Sequence, residues 1–273
     1  MERSMNLPRF FLPTLKPHSA LELSEGESHH LARVLRLQAG AKVEVFDGRG
    51  SRGVAVVESV HKKTSIVETG TIETCLNRRE TQIAIATSLP KGDRQKWLIE
   101  KLTELGIDQV ILLETERGVA QPTDNALERL ERVAVEACKQ SRNDWVVKID
   151  SPVTLRELTS RLNPDIVKLL AHPYSVGEIA SHGAESEQDS NKKPLGPQSL
   201  VVPGIRALQQ WLPDKPPSKI IVAVGPEGGF TNEEVEFALK NQWLAWVLTQ
   251  NILRVETAVL MSAILVLDFV THS

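Results

Sequence analysis

From Thr81 onward, short apolar runs alternate with segments of helical periodicity, and this rhythm narrows the possible folds more than any other feature of the chain. "TQIAIATSL" (81–89) reads as a buried strand. "DRQKWLIEKLTELG" (93–106) reads as a helix with Leu98, Leu102 and Leu105 at i, i+4 and i+7, stopped by Gly106. "DQVILLE" is the next strand. "NALERLERVAVEACKQS" is the next helix, with Leu127, Leu130, Ala134, Ala137 and Ser141 along one stripe. "VVKID", "DIVKLLAH", "KIIVAVG" and "LAWVLT" follow as strands, and helices begin near Thr154, Gly204, Thr231 and Thr257. Strands alternating with helices predict an α/β fold whose parallel sheet is covered on both faces.

The first seventy or so residues have another texture. "AKVEVFDGRGSRGVAVVESVHKKTSIVETG" (41–70) is a series of short β-like runs, and Asp47-Gly48 is a hairpin signal. A small barrel or sandwich carrying one short helix, "ESHHLARVLRL", is expected, with Leu31, Val34 and Leu35 on the helix's buried side. The chain thus divides into residues 1–74 and 75–273. The polar, aperiodic stretch at about 175–198 reads as a surface loop insertion.

Composition excludes several classes. The longest apolar run, "AVLMSAILVL", is about half the roughly 18 residues that a membrane span needs. The N-terminus lacks the apolar region of a signal peptide. The two cysteines, Cys75 and Cys138, have no metal or redox spacing, so reduced thiols in a cytoplasmic protein are expected. No metal site is expected either. A formal net charge of −3 argues against indiscriminate nucleic-acid binding and leaves room for a local basic face.

The stretch "VGPEGGFTNEEVEFAL" (224–239) sits where a ligand belongs in an open parallel sheet, after a strand and before a helix. Thr231 and Glu234 have capping-box spacing. The loop lacks the lysine and spacing of a Walker loop, and Gly225, Gly228 and Gly229 do not fit G-x-G-x-x-G. A ligand gripped through main-chain atoms, or a tight turn with no ligand, both satisfy the spacing. A second unusual segment is "NILRVETAVLMSAILVL", where Arg254, Glu256 and Thr257 directly precede an almost wholly apolar helix. A helix apolar all round needs burial by the fold or by a partner chain.

"HHLARVLRLQAGAKVEVFDGRG", "LPKGDRQKWLIEKLTELG", "ERG", "EACKQSRN", "GPEGGFTNEE" and "ILRVETA" occur in this order, and together they resemble the RsmE-like family of bacterial methyltransferases acting on N3 of a uridine in 16S rRNA. The resemblance implies a PUA-like N-terminal β-barrel and a C-terminal SPOUT domain with a trefoil knot, an exception to the rule against knotting. It also implies a homodimer that uses S-adenosyl-L-methionine. By that analogy the cofactor lies among Gly225, Pro226, Glu227 and Gly228 on one wall and Leu248, Ile252, Leu253, Arg254 and Thr257 on another, with Leu170 and Ala171 at a strand end. The chain departs from the family at Thr249-Gln250-Asn251, where glycine and often Pro-Arg are usual. It departs again at Ser141-Arg142-Asn143 and at Val147.

Methyl transfer to uracil N3 requires loss of the N3 proton and stabilisation of negative charge on the ring. Arg254 is the first candidate for that electrostatic role, with Arg142 or Asn143 next, and Glu227 is the candidate proton acceptor. His29, Arg33 and Arg36 lie at i, i+4 and i+7. Alone they read as a solvated basic face; with the resemblance they become RNA contacts, together with Arg49, Arg52, Lys91, Arg94 and Arg142. Arg117 is open between an RNA contact and a structural ion pair. An RNA-binding protein without catalysis, and a nucleotide-dependent metabolic enzyme, are the competing readings.

Overall fold

The computed structural model describes residues 7–75, 78–118, 124–172, 201–203 and 217–272. The insertion expected at 175–198 and the helix expected near Gly204 lie outside them. The chain divides into two compact units, one of residues 1–78 and 134–146, the other of residues 79–133 and 147–273.

The first unit is built on a five-stranded sheet in the order β1-β3-β4-β5-β2. β3 (Lys42–Phe46), β4 (Ser51–Ser59) and β5 (Ile66–Thr74) form an antiparallel meander. β1 (Arg9–Phe11) adds to β3 in parallel and β2 (Ala20–Glu22) to β5 in antiparallel. Side chains alternate along these strands, so Val43, Val45, Ala55, Val57 and Val67 converge with Phe10, Leu12, Leu23 and Leu31 on one core. The β3–β4 turn forms where the sequence signals it. The Asp47 carboxylate accepts from the Arg49 and Ser51 amides at 2.7 and 2.9 Å, and Gly48 takes φ 73°.

The short helix departs from expectation. α1 (Glu25–His29), capped by Ser24, runs into a π-helical turn over His30–Val34, closed by the Leu35 amide on the His30 carbonyl at 3.0 Å. The wider turn adds a residue per revolution and breaks the 3.6 period. Leu31 stays in the core, but Val34 and Leu35 turn outward, 63% and 37% exposed, which corrects their assignment to the buried side. Arg36 lies past the helix end at φ 53°.

α3 (Asp124–Ser141) begins in the second unit and ends in the first. Its last turns and the turn after it supply partners for a buried arginine. Arg9 donates to the carbonyls of Cys138 and Asn143, both at 3.0 Å, and pairs with Asp144 and with Glu44. Its guanidinium also lies over the Phe46 ring, 4.1 Å from the centroid. Lys139 reaches Glu27 at 2.9 Å.

The second unit is an all-parallel sheet of seven strands in the order β10-β12-β9-β11-β6-β7-β8. The strands are β6 (Gln82–Thr87), β7 (Gln109–Glu114), β8 (Lys148–Thr154), β9 (Val167–Ala171), β10 (Val201–Pro203), β11 (Lys219–Val224) and β12 (Leu244–Val247). β6 and β11 are central and buried on both faces, so they read as unbroken apolar runs. One face is covered by α4 (Leu155–Ser160) and α5 (Asn232–Lys240), which share a core with Phe230 and Trp243. α2 (Arg94–Leu105) and α6 (Val255–His272) pack on each other, and α6 rests on β6 and β11. Local chemistry sets the helix ends: complete capping boxes at Thr154 and Thr231, and Gly106 at φ 84° after α2. β10 is a strand that the sequence reading did not anticipate. No helix among the described residues is long and apolar enough to cross a membrane.

Candidate functional site

Residues at and beyond the carboxyl ends of β7, β9, β11 and β12 in the second unit enclose a cavity of about 480 Å³. Its walls are the loop from Val224 to Phe230, the loop from Leu248 to Leu253, the start of α6 at Val255 and Ala258, and residues at or beyond the ends of β7 and β9. The volume falls within the range of small-molecule sites, and the lining is mainly apolar with main-chain polar groups among it.

The glycine loop owes its shape first to the protein itself. A Cβ on Gly225 would lie 3.1 Å from the Phe230 ring and amide, and Phe230 is the apolar anchor beneath the loop. A Cβ on Gly228 would lie 3.2 Å from Cβ of Arg117. Gly229 has open space around it but takes φ 69°, a left-handed conformation that closes the turn through its amide on the Pro226 carbonyl at 2.8 Å. All three glycines therefore have an internal reason before any ligand is considered.

Two arginines hold this loop from neighbouring connections. Arg94, at the start of α2, reaches Glu227 at 3.5 Å and Glu256 at 3.3 Å. Arg117, in the turn after β7, donates to the carbonyls of Gly228 at 2.9 Å and Phe230 at 3.5 Å. The adjoining Glu116 amide donates to Glu234 at 3.3 Å, so the α5 cap also ties the β7 turn to the loop. Burial pushes the Glu256 carboxyl up, but its own backbone amide, Arg94 and Arg254 outweigh that and hold it below the ordinary range.

Of the residues expected at a cofactor, Ala171, Gly225, Pro226, Glu227, Gly228, Leu248, Ile252 and Leu253 line this cavity. Leu170 does not: it is fully buried in the β9 core, one residue short of the opening. Thr257 lies instead on a second, shallower groove with Trp97, Leu260, Met261, Ile264 and Leu265. Arg254 is exposed on the turn into α6, between the lining residues Leu253 and Val255, and its carbonyl accepts the first amide bond of the helix from Ala258 at 2.9 Å. Asn143 belongs to the first unit, where its side-chain oxygen accepts from the Trp145 amide at 3.1 Å. The sequence reading missed His172, Asn232 and the lining role of Arg117. The position of His172 and Arg117 just past strand ends is the signal that could have found them.

The candidate RNA contacts fall into two groups. His29, Arg33, Arg36 and Lys91 are exposed. Arg52 pairs with Glu73 and Asp144, Arg142 with Glu44, and Arg94 with the two carboxylates above. Arg49 is between these cases, its side chain 73% exposed while donating to the Pro13 carbonyl at 2.7 Å.

Comparison with known proteins gives consistent matches. The family described as an RNA methyltransferase domain matches residues 77–267, and that described as an RNA methyltransferase PUA domain matches residues 23–69. The chain is 30% identical over 242 residues to the ribosomal RNA small subunit methyltransferase E of Synechocystis sp. (strain ATCC 27184 / PCC 6803 / Kazusa), covering 88% of this chain and 70% of that one. With the protein of the same name from Bacillus subtilis (strain 168) it shares 27% identity, covering 92% and 93%. The ribosomal RNA small subunit methyltransferase E from Neisseria gonorrhoeae, solved bound to S-adenosyl methionine, superposes with a TM-score of 0.74 at 24% identity, over 97% of this chain and 98% of that one.

Proposed function

Because this chain belongs to the RNA methyltransferase family, with that family's PUA domain in its N-terminal part, we propose that it methylates N3 of a uridine in 16S ribosomal RNA with S-adenosyl-L-methionine as donor. The observation that carries the reading is the cavity at the carboxyl ends of β7, β9, β11 and β12, walled by the glycine loop and the Leu248–Leu253 loop. The names of the two sequence relatives, and the bound molecule in the gonococcal structure of the same fold, support it.

The residues present fit such a donor. Leu248, Ile252 and Leu253 offer apolar surface for an adenine ring, and the loop from Gly225 to Gly229 offers main-chain groups. Bound there, S-adenosylmethionine supplies an electrophilic methyl on a sulfonium. The chain's task is to hold the uracil in line with it, and positioning of this kind is worth roughly 7–11 kcal/mol. Glu227, at the cavity, is the carboxylate that takes the N3 proton. Arg254, on the turn between two lining residues, stabilises the negative charge that spreads over N3 and the ring carbonyls. Arg33, Arg36, Arg49 and Lys91 supply charge for RNA phosphates, with His29 as a further polar contact, which reconciles RNA binding with a net charge of −3.

Two features of the architecture belong to the same reading. β12 lies between β10 and β9, while the helix that follows it packs on β11 and β6, on the other side of β9; this order supports a chain threaded into a trefoil knot. The apolar groove of α6, with Trp97 42% and Ile264 51% exposed, supports pairing with a second copy of the chain. The protein works in the cytoplasm, on ribosomal RNA or the assembled small subunit.

The deciding experiment is mass analysis of 16S rRNA from cells with and without the protein, followed by methylation of the deficient RNA or subunits with the purified chain. Loss and recovery of one N3-methyluridine is expected. Unchanged methyluridine in the deficient cells would overturn the reading.

A further inference from the structure

We infer that Arg117 recognises the carboxylate of the donor's methionyl end, so that one side chain both latches the glycine loop and selects the ligand; this rests on the donor reading above. Among the described residues lining the cavity, Arg117 is the only arginine or lysine and Glu227 the only carboxylate. Everything else there, His172 apart, is apolar, amide, hydroxyl or main chain.

Arg117 is fixed at its root and its tip. Its stem packs on Gly228, where a Cβ would meet its Cβ at 3.2 Å and its Cδ at 3.3 Å. At the tip, Nη1 makes both bonds to the loop, at 2.9 and 3.5 Å. Those acceptors are neutral carbonyls, which orient a guanidinium without cancelling its charge. A planar fork held in place by one nitrogen still presents Nη2 and Nε in a fixed geometry, the arrangement that suits a carboxylate. An adenosyl group has no anionic atom to meet this charge. The methionyl end has one, its α-carboxylate. Arg117 is therefore a specificity-determining residue: it makes the cavity prefer the whole amino-acid-bearing donor over its truncated forms.

The inference is tested by calorimetric titration of the full-length protein with three ligands. These are S-adenosylmethionine, its decarboxylated form, and 5′-methylthioadenosine, which lacks the amino-acid portion. The unaltered protein should bind the decarboxylated form about tenfold more weakly than S-adenosylmethionine. In Arg117→Gln that ratio should fall close to one, with methylthioadenosine affinity changed by less than about twofold. Arg117→Lys, which keeps the charge and loses the fork, should fall between, and it carries the test if the glutamine variant does not fold. A ratio that survives in both variants would overturn the inference. So would an equal loss for all three ligands, because Arg117 would then act on the loop alone. If the unaltered protein binds none of the three, the donor reading itself fails, and the inference fails with it.

Discussion

One guanidinium nitrogen of Arg94 lies 3.5 Å from a carboxylate oxygen of Glu227, bridging the start of α2 to the tip of the glycine loop. A second nitrogen of the same group holds Glu256 in the first turn of α6 at 3.3 Å. Three segments that are distant in sequence are thereby joined through one side chain. Both pairs are partly exposed, so their worth lies in loop geometry more than in stability, about 0–1 kcal/mol each.

The Glu256 carboxyl sits below its ordinary range, so its stabilising effect is present above the unfolded value of about 4.5 and is lost as pH falls through the folded value. Thermal unfolding from pH 3 to 7 should therefore show the unaltered protein ahead of Glu256→Gln near neutrality. The two curves should converge at the acid end. Parallel curves would contradict this.

Gly229→Ala should destabilise the protein by about 1–2 kcal/mol, because alanine pays for a left-handed φ that glycine adopts freely. Gly228→Ala should cost about 1–3 kcal/mol by crowding the root of the Arg117 side chain. Urea unfolding measures both.

Arg254→Ala should lower the methylation rate by about 10²–10³-fold while donor affinity stays near that of the unaltered protein. Single-turnover methylation and calorimetry separate the two quantities. An undiminished rate with normal binding removes Arg254 from the chemistry.

Cys138 is held at about 12, chiefly by burial, so at pH 8 only about one part in 10⁴ of it is thiolate. Cys75 is exposed. Brief alkylation of the native protein at pH 8 should add one label, at Cys75, and a second only after denaturation, as read by peptide mass analysis.

Ile264→Glu, which places a charge on the exposed apolar groove of α6, should convert the dimer proposed above to monomers in sedimentation velocity without unfolding the chain, whereas a monomeric unaltered protein would overturn that proposal.

Much of the second unit was legible because its signals are local. Strand runs, the Gly106 stop and the boxes at Thr154 and Thr231 each follow from a few neighbouring residues, and they carry the cavity loops to the sheet's edge. The first unit hid more. The π-helical turn over His30–Val34 widens the helix with no apolar period to announce it, so spacing alone places Val34 and Leu35 on the wrong side. Asp144, one of the two carboxylates paired with Arg52, and Glu44, paired with Arg142, lie 92 and 98 residues away in sequence, beyond the reach of spacing arguments. Arg117 could be narrowed to two roles, but its bond to Gly228 needs the sheet to bring two connections together.

The first unit closes only when the chain returns to it at residues 134–146. A fragment cut after Arg78 would keep every strand of that sheet, yet Arg9 would lose the Cys138 and Asn143 carbonyls and the Asp144 carboxylate, leaving a buried cation with Glu44 as its remaining anion. The front module is thus not a detachable bead that recombination could move with a single crossover. It travels with the rest of the protein or must be transplanted in two pieces.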